Sequence, residues 1–263
     1  MPRILLSTLL VLALLGAVAP ATAQNYGDFV LSGDFALYEN GQELETAEFY
    51  RATGAAGVLV RESSLPAPVL IAPGSQRVET INVMKLSKAG EDTLRLLPGA
   101  TLEPQGGFQI KGQDIEFTVD GRTLTLGPKP PLLGSKDASD LKEYSYLYVK
   151  RSRDYTPDAK ALSKLEDVSQ PVKVRVFFGS WCPHCQRTVP HAVRLAEELE
   201  GSQVDFEFYG LPQGFGNEPE AKKNNVTAVP TGIVYVNGKE VGRISNEEWA
   251  HPERAIQRIV SSS

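Results

Sequence analysis

A chain of 263 residues with 41% apolar and 22% charged side chains has room for one large domain or two ordinary ones, and its composition is that of a folded protein. Its formal charge of -5 argues against nucleic acid or an anionic membrane surface as partner, because such surfaces are bound mainly through clustered Lys and Arg.

The chain opens with one positive charge at Arg3, an apolar run from Ile4 to about Ala19, and the small-residue group Ala21-Thr22-Ala23. That order predicts a signal peptide over residues 1–23, cleaved after Ala23, and an exported mature protein in the periplasm or an equivalent compartment. An uncleaved membrane anchor is the competing reading, but the run is shorter than the roughly 20 residues that span a bilayer. No cysteine follows the run, which excludes a lipoprotein. Outside the cytoplasm disulfides persist unless something reduces them.

From Phe29 to Leu126, short alternating or β-branched runs are separated by turn dipeptides. Asn40-Gly41 and Asp120-Gly121 sit between such runs and read as hairpin turns in which both central residues take positive φ. An all-β antiparallel N-terminal domain, residues 24–130, is expected. "GPKPPLLG" (Gly127 to Gly134) carries three prolines in eight residues and is expected to break any strand or helix, marking the boundary. The second domain, residues 135–263, then alternates. "YSYLYVK" reads as a strand, and Thr156 with Pro157 as the start of a helix. "VKVRVFF" is a buried strand, "RTVPHAVRLAEELEG" a helix, "VDFEFYG" a strand and Glu218 to Asn225 a loop or short helix. A hairpin turning at Asn237-Gly238 and a last helix near Pro252 to Val260 complete an α/β unit with parallel strands.

Both cysteines lie in "GSWCPHCQRTVP". A disulfide between Cys182 and Cys185 closes so small a ring that it removes little unfolded-state entropy, so it is a poor staple. Zinc takes four ligands, commonly two Cys-x-x-Cys pairs or one pair with a spaced His pair, and His184, His191 and His251 do not have that spacing. The position favours a reagent. Cys182 falls where a strand has ended and a helix begins, and the unpaired N–H groups there stabilise a thiolate. Pro183 suits the first helical turn and stiffens it, while His184 adds a positive charge or a donor beside the sulfur. Cys182 is thus expected to exchange with the client and Cys185 to resolve the mixed disulfide.

These residues carry a resemblance. "FFGSWCPHCQRTVP" resembles the active-site segment of the thioredoxin superfamily, Trp-Cys-x-x-Cys followed five residues later by a helix-kinking proline, here Pro190. "NNVTAVPTGIVYVNGKEVG" resembles the second signature, a cis-proline before a strand and an Asn-Gly hairpin, which implies that Pro230 lies beside the cysteines and that Val229 presents its backbone to substrate. Trp181 is then either an apolar cover for the disulfide or a platform for substrate. The Pro-His pair is the one found in DsbA-type periplasmic oxidases, but the 45 residues from Cys185 to Pro230 leave no room for the helical insertion of that branch. Val176 stands where the family usually has a buried carboxylate that relays the proton of the second cysteine.

The resemblance implies a thioredoxin-like C-terminal domain, a mixed sheet flanked by helices, acting as an exported thiol-disulfide oxidoreductase on protein thiols or disulfides, with oxidant favoured over reductase or isomerase. A membrane or periplasmic redox partner would recycle it. No cofactor and no metal is expected, and an isomerase would imply a homodimer formed through the β domain. The alternative is a binding or chaperone protein, copper included, that uses the thioredoxin-like fold as a scaffold.

Overall fold

The computed structural model describes residues 26–263; the expected leader and its cleavage point lie outside the described residues. Among the described residues the N-terminal unit holds thirteen strands: β1 (Asp28–Ser32), β2 (Phe35–Glu39), β3 (Gln42–Glu43), β4 (Glu48–Ala52), β5 (Val58–Arg61), β6 (Val69–Ala72), β7 (Arg77–Ile81), β8 (Leu86–Gly90), β9 (Thr93–Leu96), β10 (Leu102–Gly106), β11 (Phe108–Lys111), β12 (Asp114–Val119) and β13 (Arg122–Pro128). They form two antiparallel sheets, ordered β10-β7-β6-β5-β4-β1-β9-β8 and β11-β12-β13-β2-β3. Period-two alternation divides the larger sheet between two cores. Phe49, Val60, Val69, Ile71 and Val78 pack against Leu37, Phe117, Leu124 and Leu126 of the smaller sheet, whereas Leu31, Tyr50, Leu59 and Leu70 join the core that continues into the C-terminal half. The expected hairpin turns are formed, with positive φ at Asn40, Gly41, Asp120 and Gly121.

The C-terminal unit runs β14 (Gly134–Lys136), α1 (Ala138–Tyr144), α2 (Tyr146–Asp154), α3 (Ala159–Glu166), β15 (Val172–Phe178), α4 (Pro183–Glu198), β16 (Val204–Gly210), α5 (Pro219–Lys223), β17 (Thr231–Val236), β18 (Lys239–Ile244) and α6 (Pro252–Ser261). Its sheet is ordered β14-β16-β15-β17-β18; β15 is parallel to β16 and antiparallel to β17. Helices pack against this mixed sheet, with Val174, Val176, Val189, Val193, Phe208 and Ile256 in its core.

Three local expectations are corrected. "YSYLYVK" is helical: Ser145 caps α2 by accepting from the Leu147 amide at 3.4 Å, and burial of Leu147 and Tyr148 overrides the strand preference of its tyrosines. The place expected for a first strand is taken by β14. At α3 the cap is Asp158, not Thr156; its Oδ1 accepts from the Ala161 amide at 2.8 Å, while its own amide donates to Glu253 Oε1 at 3.1 Å. Finally, β13 continues through Gly127 and Pro128. Its pairing with β12 ends at Leu126, so beyond that point only β2 is a neighbour, with Pro128 opposite Phe35, and a missing N–H is tolerated on a ladder's free side.

Candidate active site

Strand β15 delivers the chain to a tight loop, Gly179 to Trp181, that starts α4. The Cys182 amide donates to the Gly179 carbonyl at 3.0 Å. A Cβ at Gly179 would lie 2.5 Å from the Trp181 ring, so only glycine lets the indole fold back over the loop. The indole Nε1 donates to the Leu211 carbonyl at 2.8 Å, which fixes Trp181 as a cover over the end of β16. Cys182 is the N-cap of α4 with Pro183 at its first position, as the helix-start reading requires.

Both thiols are free; Cys182 is half-buried and Cys185 fully buried. Cys182 Sγ lies 3.9 Å from the Val229 carbonyl oxygen, and Val229-Pro230 is the cis peptide bond of the described residues. The structure thus brings together Trp181, Cys182, Pro183, His184, Cys185, Val229 and Pro230, all selected from sequence.

The Cys182 thiol is lowered to about 5. The leading cause is the Cys185 S–H, which donates to the Cys182 sulfur; the Cys185 and His184 amides and the His184 charge add to it, against the opposing effect of burial. Cys185 is pushed far up, first by burial and then by Cys182. The two environments thus differ in sign: that of Cys182 favours the thiolate and that of Cys185 the protonated thiol. His184 supplies less of this than its position in the motif suggests. Its Nε2 is buried without a hydrogen-bond partner.

Val176 is fully buried in the apolar core that contains Cys185, so no carboxylate stands at that position. Tyr148, 1% exposed, has a hydroxyl with no hydrogen-bond partner, and burial above all pushes its pKa well up. Sequence reading missed it, because a tyrosine within a run read as a strand gives no signal of its own. Also missed was Gln186, whose side-chain Nε2 donates to Asp34 Oδ1 at 2.8 Å and to the Ser180 carbonyl at 2.9 Å. Its position next to Cys185 was the one available hint. Among the described residues no three His, Cys, Asp or Glu side chains converge as a metal site, and no helix is long and apolar enough to cross a membrane.

The family profile described as Thioredoxin matches residues 159–261. Thioredoxin-1 of Saccharomyces cerevisiae is 31% identical over 80 residues, which cover 30% of this chain and 73% of that protein. Thioredoxin-2 of the same yeast is 34% identical over 86 residues, 33% of this chain and 75% of the relative. Among solved structures, Fasciola hepatica thioredoxin is similar at 29% identity, with 38% of this chain and 88% of that one aligned at a TM-score of 0.29. The β unit falls outside the family match.

Proposed function

The chain belongs to the thioredoxin family through its C-terminal half, and on that premise we propose that it is an exported thiol-disulfide oxidoreductase that oxidises protein thiols. In the oxidised state Cys182 and Cys185 share a disulfide. A client thiolate attacks Cys182 Sγ, the Cys182–Cys185 bond breaks, and Cys185 leaves with the electron pair and takes up a proton. A second client thiolate attacks the client sulfur of the mixed disulfide, Cys182 departs as a thiolate, and the client has gained a disulfide. A partner oxidant in the exported compartment then removes two electrons from the dithiol.

What supports the direction is the place of Cys182 as N-cap of α4, where the Cys185 S–H and the amides of residues 184 and 185 face its sulfur and lower the thiol to about 5. A low-pKa sulfur is the better leaving group, and the groups that stabilise its thiolate act on the reduced protein alone, which makes the couple more oxidising. Val229, whose carbonyl faces Cys182, supports a client backbone beside the reacting sulfur. The test is oxidation of a two-cysteine peptide by the mature chain and by Cys182→Ala, with insulin reduction as the opposite direction. Cysteine-dependent peptide oxidation is the expected result. Turnover in insulin reduction alone would reverse the direction, and no cysteine-dependent turnover in either assay would leave the scaffold reading. Export rests on the pattern of residues 1–23 and is checked by the intact mass of secreted protein, which is expected to begin at Gln24.

A further inference from the structure

Gln186 is polar yet only 6% exposed, and burying an amide is unfavourable unless its hydrogen bonds are replaced. They are replaced by two acceptors, one in the loop before Cys182 and one in the β unit. Nε2 donates to the Ser180 carbonyl, two residues before Cys182, and to Asp34 Oδ1. Asp34, in the turn between β1 and β2, is held in turn by Ser32 Oγ at 2.9 Å and Arg51 Nε at 3.1 Å. The same turn closes on Gln186 through its backbone: a Cβ on Gly33 would lie 3.6 Å from the Gln186 amide carbon.

The Gln186 carbonyl lacks its usual helical partner. In an α-helix it would accept from the residue four positions on, which here is Pro190, inside α4 and without an N–H. Arg151 Nη1 donates to that carbonyl at 2.8 Å. The guanidinium is fixed by Asp92 Oδ2 at 2.6 Å, and Asp92 lies in the turn between β8 and β9. One residue, adjacent to the resolving cysteine, is therefore held through its side chain and its carbonyl by two turns of the β unit.

We propose that Gln186, gripped by Asp34 directly and by Asp92 through Arg151, is a positioning residue for the Cys182–Cys185 pair, and that the β unit thereby sets the spacing of the reacting sulfurs. The inference rests on the redox reading of this site. Loosening the grip separates the loop before Cys182 from the first turn of α4, and the Cys182 thiolate loses donors that it depends on: the Cys185 S–H and the amides of Cys185 and His184.

The experiment follows the pH midpoint of Cys182 thiolate absorbance in the reduced full-length mature protein, together with its potential in glutathione buffers. Asp34→Ala is expected to raise the midpoint by about one pH unit, a roughly tenfold loss of thiolate below it, and to make the couple less oxidising. Asp34→Asn keeps an oxygen acceptor for Gln186 and is expected to restore the wild-type midpoint. Gln186→Met removes both side-chain hydrogen bonds of Gln186 at nearly constant length, so it reports on the positioning role even if Asp34→Ala fails to fold; the same upward shift is expected. An unmoved midpoint in Gln186→Met overturns the proposal. So does a matching downward shift in Asp34→Ala and Asp34→Asn, which would show that Asp34 acts by its charge. The midpoint needs no turnover. Absence of peptide oxidation by the wild-type protein would remove the oxidase reading, whereas an unmoved midpoint in an active enzyme removes only the positioning role.

Discussion

The Cys182 environment makes a quantitative prediction about Cys185. An ordinary thiol titrates near 9, and Cys182 is lowered to about 5. At pH 7 the ordinary thiol is about 1% ionised and Cys182 about 99%, a hundredfold preference that corresponds to roughly 2.7 kcal/mol. Cys182 is open enough to solvent that screening reduces this, so about 1–2 kcal/mol of reduced-state stabilisation is a reasonable figure, equivalent to roughly 20–40 mV of added oxidising strength. The largest contributor is the S–H of Cys185, so Cys185→Ala is the decisive perturbation. Its Cys182 midpoint is expected to rise by about one unit or more, yet to stay below 9, because the amides of residues 184 and 185 still face the sulfur. Absorbance of the thiolate against pH, checked by the pH dependence of alkylation, measures this directly. A midpoint that stays within about 0.3 unit of wild type would refute the Cys185 thiol as leading donor, and a wild-type midpoint near 9 would refute the whole electrostatic account. The sign carries to stability. The folded pKa is depressed, so Cys182 adds stability to the reduced protein as pH rises from about 5 towards 9, and that gain is lost as pH falls back through 5. In the oxidised protein neither sulfur titrates, so this gain is absent.

Cys185→Ala should also accumulate covalent client complexes on non-reducing gels while Cys182→Ala does not; the reverse pattern would exchange the two roles. Glu79 is 1% exposed, with Oε2 unpartnered and its carboxyl pKa raised chiefly by burial. Its contribution is present below the unfolded value and lost as pH rises through the folded one, so Glu79→Gln is expected to gain about 1 kcal/mol at pH 8 and little near pH 4, read from urea midpoints. Tyr148→Phe deletes a buried hydroxyl that has no partner and should stabilise the protein by about 1 kcal/mol in the same assay; a loss of stability would mean that the hydroxyl is satisfied.

What was legible in the sequence is what local chemistry dictates. Asn40-Gly41, Asp120-Gly121 and Asn237-Gly238 take positive φ at both positions because few residue pairs tolerate it. The cysteine stretch fixed a strand, a loop and a helix start, and Val229-Pro230 lies where its motif placed it. Tertiary context decided the rest. The run containing Tyr148 has strand-forming residues but is buried as a helix, and Pro128 is harmless in β13 because β12 has already ended. Nothing local marks Asp34 as the partner of Gln186, 152 residues away.

The segment between β13 and β14 is fastened along its length. Lys129 donates its amide to the Asp34 carbonyl at 2.9 Å, Tyr144 Oη donates to the Pro130 carbonyl at 2.9 Å, and the Leu132 amide donates to Ser180 Oγ at 3.0 Å. Gly210 lies so close beneath that a Cβ there would sit 2.0 Å from the Leu132 carbonyl oxygen. A connector tied at these points is a strut, and with a hydrophobic core continuous across both halves the described chain should melt in one cooperative transition. The unit that unfolds is thus larger than the unit that families share. A fragment trimmed to residues 159–261 would keep both cysteines but forfeit β14, α1, α2 and every tie on Ser180 from the strut, so its redox behaviour would be that of a different molecule.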